Sequence, residues 1–131
     1  MIVADASVLV AALLDSGPAG TWAEEVLEDE TLSAPHLLPA EVANILRRLS
    51  RAGEITAETA DAAYDDLLAL DVELAPFHPL ADRIWELRTN VTSYDAWYVA
   101  LAEFLNTELV TLDQRLARAA GIKCKIVTFS P

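Results

Sequence analysis

Short apolar runs alternate along the chain with longer segments in which apolar residues recur at helical spacing. Ile2–Ala4 is apolar, partly β-branched and stops at Asp5, the pattern of a strand buried on both faces. Asp5-Ala6-Ser7 leads into an apolar stretch over residues 8–14, which ends at the breaker Asp15-Ser16-Gly17-Pro18. Residues 19–28 read as an amphipathic helix with Trp22, Val26 and Leu27 on one side. Residues 32–34 form a short strand closed by Pro35. Pro39 opens a helix over 40–52, with Val42, Ile45, Leu46 and Leu49 at helical spacing and Gly53 at its end. Thr56 caps the next helix, which runs to Leu70, and Val72-Glu73-Leu74 is a short alternating strand. Pro79 starts a helix to Leu87, and Thr92-Ser93 precedes one through Phe104. Leu109–Thr111 is a further buried strand, residues 113–120 a helix stopped by Gly121, and residues 126–129 the last strand.

Strands separated by helical segments predict an α/β fold, a central parallel sheet with helices on both faces. No internal repeat, low-complexity tract or linker divides the chain, so residues 1–131 read as one domain. With 53% hydrophobic residues and a mean hydropathy of +0.28, the chain has enough apolar surface for a core without staples. No apolar run approaches the roughly 18 residues of a membrane span, and the start lacks a basic leader region. The expectation is a soluble cytoplasmic protein. The single Cys124 has no internal disulfide partner, which fits a reducing compartment and a buried thiol near the last strand.

The net charge of -12 argues against nonspecific nucleic-acid binding over the whole surface. An enzyme acting on RNA would need divalent cations and a local basic strip. Acidic pairs such as Glu24-Glu25 and Asp65-Asp66 read as solvated helix faces.

The topology bears on the remaining acids. In a parallel sheet every strand-to-helix junction lies along one edge, where ligands bind. Asp5, Glu41, Asp95 and Asp113 fall at such junctions or helix starts, far apart in sequence yet on one edge in space. Capping competes with chemistry as the explanation, since acids in a first helical turn are each worth roughly 0.3–1 kcal/mol. Thr92-Ser93-Tyr94-Asp95 matches a loose capping box, and Asp113 would make an ordinary cap. Asp5 stands between two apolar runs, where a lone carboxylate is costly and a cation accounts for the charge better. Two carboxylates about 4 Å apart repel by roughly 4 kcal/mol at an effective dielectric of about 20. Converging acids therefore share protons or hold a metal, and oxygen donors favour Mg²⁺ or Mn²⁺ over zinc. His36 and His78 lie in no zinc-ligand spacing. No phosphate-binding glycine loop occurs, and no nucleophile elbow surrounds Ser7, which reads as a helix cap or a hydrogen-bond partner of Asp5.

Four segments carry a resemblance. Val3-Ala4-Asp5-Ala6-Ser7-Val8-Leu9-Val10 resembles the opening of PIN-domain ribonucleases, and Pro39-Ala40-Glu41-Val42-Ala43-Asn44-Ile45-Leu46-Arg47-Arg48 their second motif. Tyr94-Asp95-Ala96-Trp97-Tyr98-Val99-Ala100-Leu101-Ala102-Glu103 is similar to the third, and Leu109-Val110-Thr111-Leu112-Asp113-Gln114-Arg115-Leu116 to the fourth. Their order and spacing match the VapC-type toxins of bacterial toxin–antitoxin pairs. The resemblance implies a three-layer α/β/α PIN-like fold and Mg²⁺- or Mn²⁺-dependent RNA cleavage. It further implies homodimerisation and inhibition by a VapB-type antitoxin. Asp5, Glu41, Asp95 and Asp113 fall on the four acidic positions, with Asp5 and Asp95 as the principal metal ligands. Ser7 and Thr111 fall on polar positions beside two of the acids, and Asn44 on one a turn after Glu41.

Phosphate contacts are open to Arg47, Arg48, Arg51, Arg115 and Arg118, the first three on one helix. Trp22, Trp85, Trp97 and Tyr98 could stack bases, although core or dimer packing is the simpler expectation. A phosphoacceptor signalling domain is the rival of similar length, but it would want a second acid beside Asp5, where Ala4 and Ala6 stand. A PIN-like binding protein without catalysis is a second rival, which the full set of acids disfavours.

Overall fold

The computed structural model describes residues 1–131. Five strands, β1 (Ile2–Ala4), β2 (Leu32–Pro35), β3 (Val72–Ala75), β4 (Leu109–Thr111) and β5 (Ile126–Thr128), form one sheet in the order β3-β2-β1-β4-β5. Every pairing is parallel, with Val3 opposite both Ser33 and Leu109. The apolar runs read as doubly buried strands behave as such: β1, β2 and β4 are buried at every position. The edge strands β3 and β5 are more exposed.

Seven helices connect the strands: α1 (Ala6–Leu14), α2 (Pro18–Leu27), α3 (Leu38–Arg51), α4 (Ala57–Ala69), α5 (Ala81–Glu86), α6 (Ser93–Leu105) and α7 (Gln114–Ala117). The chain runs outward from β1 to β3, then recrosses to β4 on the other side of β1. Right-handed connections place α1–α4 on one face and α5–α6 on the other. The packing agrees: α1 meets α2, α3 and α4, whereas α6 meets α5 and lies across β1, β2 and β4. Three layers result, as expected for an α/β/α fold. Val3, Leu9, Val42, Tyr98, Val99, Leu109 and Val110 are among the residues wholly withdrawn from solvent in the shared core.

Element boundaries follow the predicted signals closely, with two departures. The segment after Pro79 is not one helix but α5 between two single 3₁₀ turns, His78–Leu80 and Leu87–Thr89. The helix expected over 113–120 stops at Ala117, because Leu116 is its only buried anchor and a short helix needs tertiary packing to persist. Gly121 then turns at φ +82°, against Asn90.

Candidate active site

The strand order reverses between β1 and β4, so the carboxyl ends of these two strands flank the crevice where α/β sheets bind ligands. Asp5 follows β1 directly and Asp113 lies two residues beyond β4. Glu41 occupies the first turn of α3 and Asp95 the first turn of α6, from opposite layers.

Asp5 is the most deeply set, at 8% exposure. It caps α1, accepting hydrogen bonds from the Ser7 and Val8 amides at 3.1 and 3.4 Å. The Ser7 hydroxyl donates to the same oxygen, and the Thr111 hydroxyl donates to Oδ2. Each hydroxyl is itself fixed by a backbone donor on the β4 side. Leu112 N–H reaches Ser7 Oγ at 3.0 Å, and Asp113 N–H reaches Thr111 Oγ1 at 3.0 Å. β1 and β4 are thus laced together through one carboxylate. Capping and a chemical role do not compete here, because the cap holds the carboxylate in place at the crevice.

Burial nevertheless outweighs these donors and pushes the Asp5 carboxyl above its ordinary range, with the charge of Asp95 adding to the push. Glu41 is raised by burial and by the charges of Asp5 and Asp95, against the hydrogen bond from Tyr98 Oη to its Oε1 at 2.7 Å. Burial and then Asp113 raise Asp95, while Thr92 and Arg115 draw it back. Tyr98, buried behind these acids, has its phenol pushed above the usual tyrosine range, first by burial and then by Glu41. Asp113 caps α7, accepting from the Arg115 amide at 2.9 Å, and lies 3.8 Å from the Arg115 guanidinium. The four acids therefore share one electrostatic neighbourhood in which cations are scarce. They do not close into a cage: no three His, Cys, Asp or Glu side chains are drawn together tightly enough to hold an ion by themselves.

A cleft of about 480 Å³ opens beside the acids, lined by Asp95 and Asp113, by Arg88 and Arg115, and by Thr89, Asn90 and Thr92. Of the five arginines singled out in the sequence, Arg115 lines this cleft. Arg47 and Arg51 instead line a groove between α3 and α4. Arg88 was not anticipated, since its place depends on the 3₁₀ turn after α5. Asn44 is exposed and joins no hydrogen bond of the acid network.

The aromatics divide. Trp22 packs on Phe129 and Trp97 stands edge-on to Phe77, both half-buried. Trp85 is 64% exposed beneath the Arg88 guanidinium, so of the core or dimer packing expected for the aromatics, packing in this chain's own core does not hold for it. Tyr98 is core by burial, yet its hydroxyl serves the site. His36 and His78 are exposed and line none of this cleft. Cys124 is half-buried just before β5, its thiol pushed up to about 11 by burial. No lysine lines the cleft, contrary to what a phosphoacceptor domain would want.

A PIN domain family model matches residues 2–122. Ribonuclease VapC1 of Mycobacterium tuberculosis is 45% identical over 125 residues, covering 95% of this chain and 94% of its own. Among solved structures, PAE2754 from Pyrobaculum aerophilum superposes with a TM-score of 0.72 at 26% identity, over 95% of this chain and 81% of that one. VapBC2 from Rickettsia felis, solved bound to a promoter DNA fragment, superposes with a TM-score of 0.70 at 18% identity, over 99% of this chain and all of that one. The family model spans nearly the whole chain and the relatives match it over nearly their full length, so the chain belongs to the PIN-domain family, among the VapC ribonucleases.

Proposed function

We propose that this protein is a Mg²⁺- or Mn²⁺-dependent endoribonuclease, the toxin of a VapBC-type pair, cutting RNA at Asp5, Glu41, Asp95 and Asp113. One observation carries the reading. Three carboxylates at the switch point are pushed up by burial and by neighbouring acids, with no cation drawing on Asp5 or Glu41 and Arg115 alone drawing on Asp95. Oxygen donors carrying excess negative charge fit a hard divalent cation.

In this reading Asp5 and Asp95 hold the ion, and Glu41 and Asp113 contribute directly or through water. A bound cation would supply positive charge to the phosphodiester and would make a water beside it more acidic. The chain's own residues do the rest. Ser7 and Thr111 fix the aim of Asp5. Glu41, with one oxygen on Tyr98, keeps the other for the attacking water and its proton. Arg88 and Arg115 stand at the cleft to meet RNA phosphates. Cleavage leaves 5′-phosphate and 3′-hydroxyl ends. Exposed Phe104, Trp85 and Leu68 give apolar surface for a second copy of the chain and for an antitoxin helix. No helix is long and apolar enough to cross a membrane, and we place the protein in the cytoplasm.

The test is RNA cleavage by purified wild type and Asp5→Asn with Mn²⁺. A loss of at least about 100-fold, with an unchanged circular dichroism spectrum, is expected. Full activity in Asp5→Asn would remove the assignment.

A further inference from the structure

Glu41 is the most constrained in one respect of the acids at the crevice: it is tied across the molecule to a side chain of the opposite layer. Tyr98 lies on α6 one turn beyond Asp95, on the same helix face. It is 2% exposed, and its ring is packed in the core beneath the acids. Its hydroxyl donates to Glu41 Oε1 at 2.7 Å, across 57 residues of sequence. Apart from that bond, Glu41 is fixed only at its backbone, in the first turn of α3, where its N–H bonds the Leu37 carbonyl. Asp5 and Asp95 both push on its charge. A free glutamate with three rotatable bonds would swing away from that repulsion toward solvent. A rigid phenol anchored in the core prevents it.

We infer that Tyr98 is a positioning residue of this active site, holding Glu41 toward the crevice by one oxygen and reserving Oε2 for water, ion or proton. The inference rests on the proposed function, in which Glu41 takes part in cleavage. It explains why a tyrosine rather than a phenylalanine stands at this buried point: the ring fills the core, and the hydroxyl has a carboxylate to serve. It also makes the site a product of both helical layers, since α6 supplies Asp95 and the tether for the acid that α3 supplies.

The test is a cycle of wild type, Tyr98→Phe, Glu41→Gln and the double variant. RNA cleavage is followed in each, and Mn²⁺ affinity is measured on chelator-dialysed protein by electron paramagnetic resonance. Tyr98→Phe is expected to lower kcat about 10- to 100-fold with little change in KM, or to weaken Mn²⁺ binding by a similar factor. In the Glu41→Gln background the same change should add less than about twofold, because the tether has nothing left to aim. Equal effects in both backgrounds, or none in the wild type, would overturn the inference. Should Tyr98→Phe fail to fold, Tyr98→Leu, which also removes the donor and stays apolar, takes its place, with a larger loss expected in the wild-type background than in Glu41→Gln and equal losses in both again overturning the idea. Asp5→Asn separates the two levels. An active Asp5→Asn overturns the proposed function. An inactive Asp5→Asn with a fully active Glu41→Gln overturns the roles of Glu41 and Tyr98 together and leaves metal-dependent cleavage at Asp5 standing.

Discussion

Asp5 is held by two hydroxyls and two amides and is still raised by burial, and Glu41 and Asp95 are raised as well. A carboxyl whose folded pKa lies above its unfolded value gives stability that is present below the unfolded pKa and lost as pH rises through the folded one. Glu103 runs the other way: its bidentate pairing with Arg83 outweighs the cost of burial, so its contribution fades only below the ordinary carboxylate range. The two effects occupy separate windows. In chelator, the melting temperature should therefore rise as pH falls from neutral toward the ordinary carboxylate range, then drop below that range. Differential scanning calorimetry in EDTA checks this. A melting temperature that falls steadily from pH 7 would contradict the reading of the acids as mutually repelling and desolvated.

At the level of elements, the strands and most helix caps were open to sequence reasoning. Ile2–Ala4 and Leu109–Thr111 are too apolar for anything but doubly buried strands, and Thr56 and Thr92 cap the helices they were expected to cap. The acids were legible because parallel topology puts strand-to-helix junctions on one edge. What stayed hidden depends on tertiary contacts with no local signature. The Tyr98–Glu41 bond spans two layers, Arg88 enters the cleft through a 3₁₀ turn, and Trp85 sits on the outward side of a helix too short to show a period. Gly20 is a further case. A Cβ there would lie 1.8 Å from the Asp15 carbonyl oxygen, so the hairpin of α1 and α2 closes only on glycine. Gly20→Ala should cost about 3 kcal/mol in urea denaturation and leave cleavage per folded molecule unchanged. An unaltered midpoint would show that the two helices pack with slack.

The whole molecule is strongly acidic, at net charge -12, and in the proposed function a substrate as negative as RNA must approach it. Arg88 and Arg115 at the cleft mitigate this locally, but two arginines do not neutralise four acids and a phosphodiester. That imbalance makes divalent cations the central requirement of the proposed function. The direct measurement is RNA cleavage by EDTA-dialysed wild-type protein, before and after Mn²⁺ is restored in excess. The account predicts no cleavage above a buffer blank in EDTA and full recovery with Mn²⁺, with 5′-phosphate ends on the products. Undiminished cleavage in EDTA would contradict it.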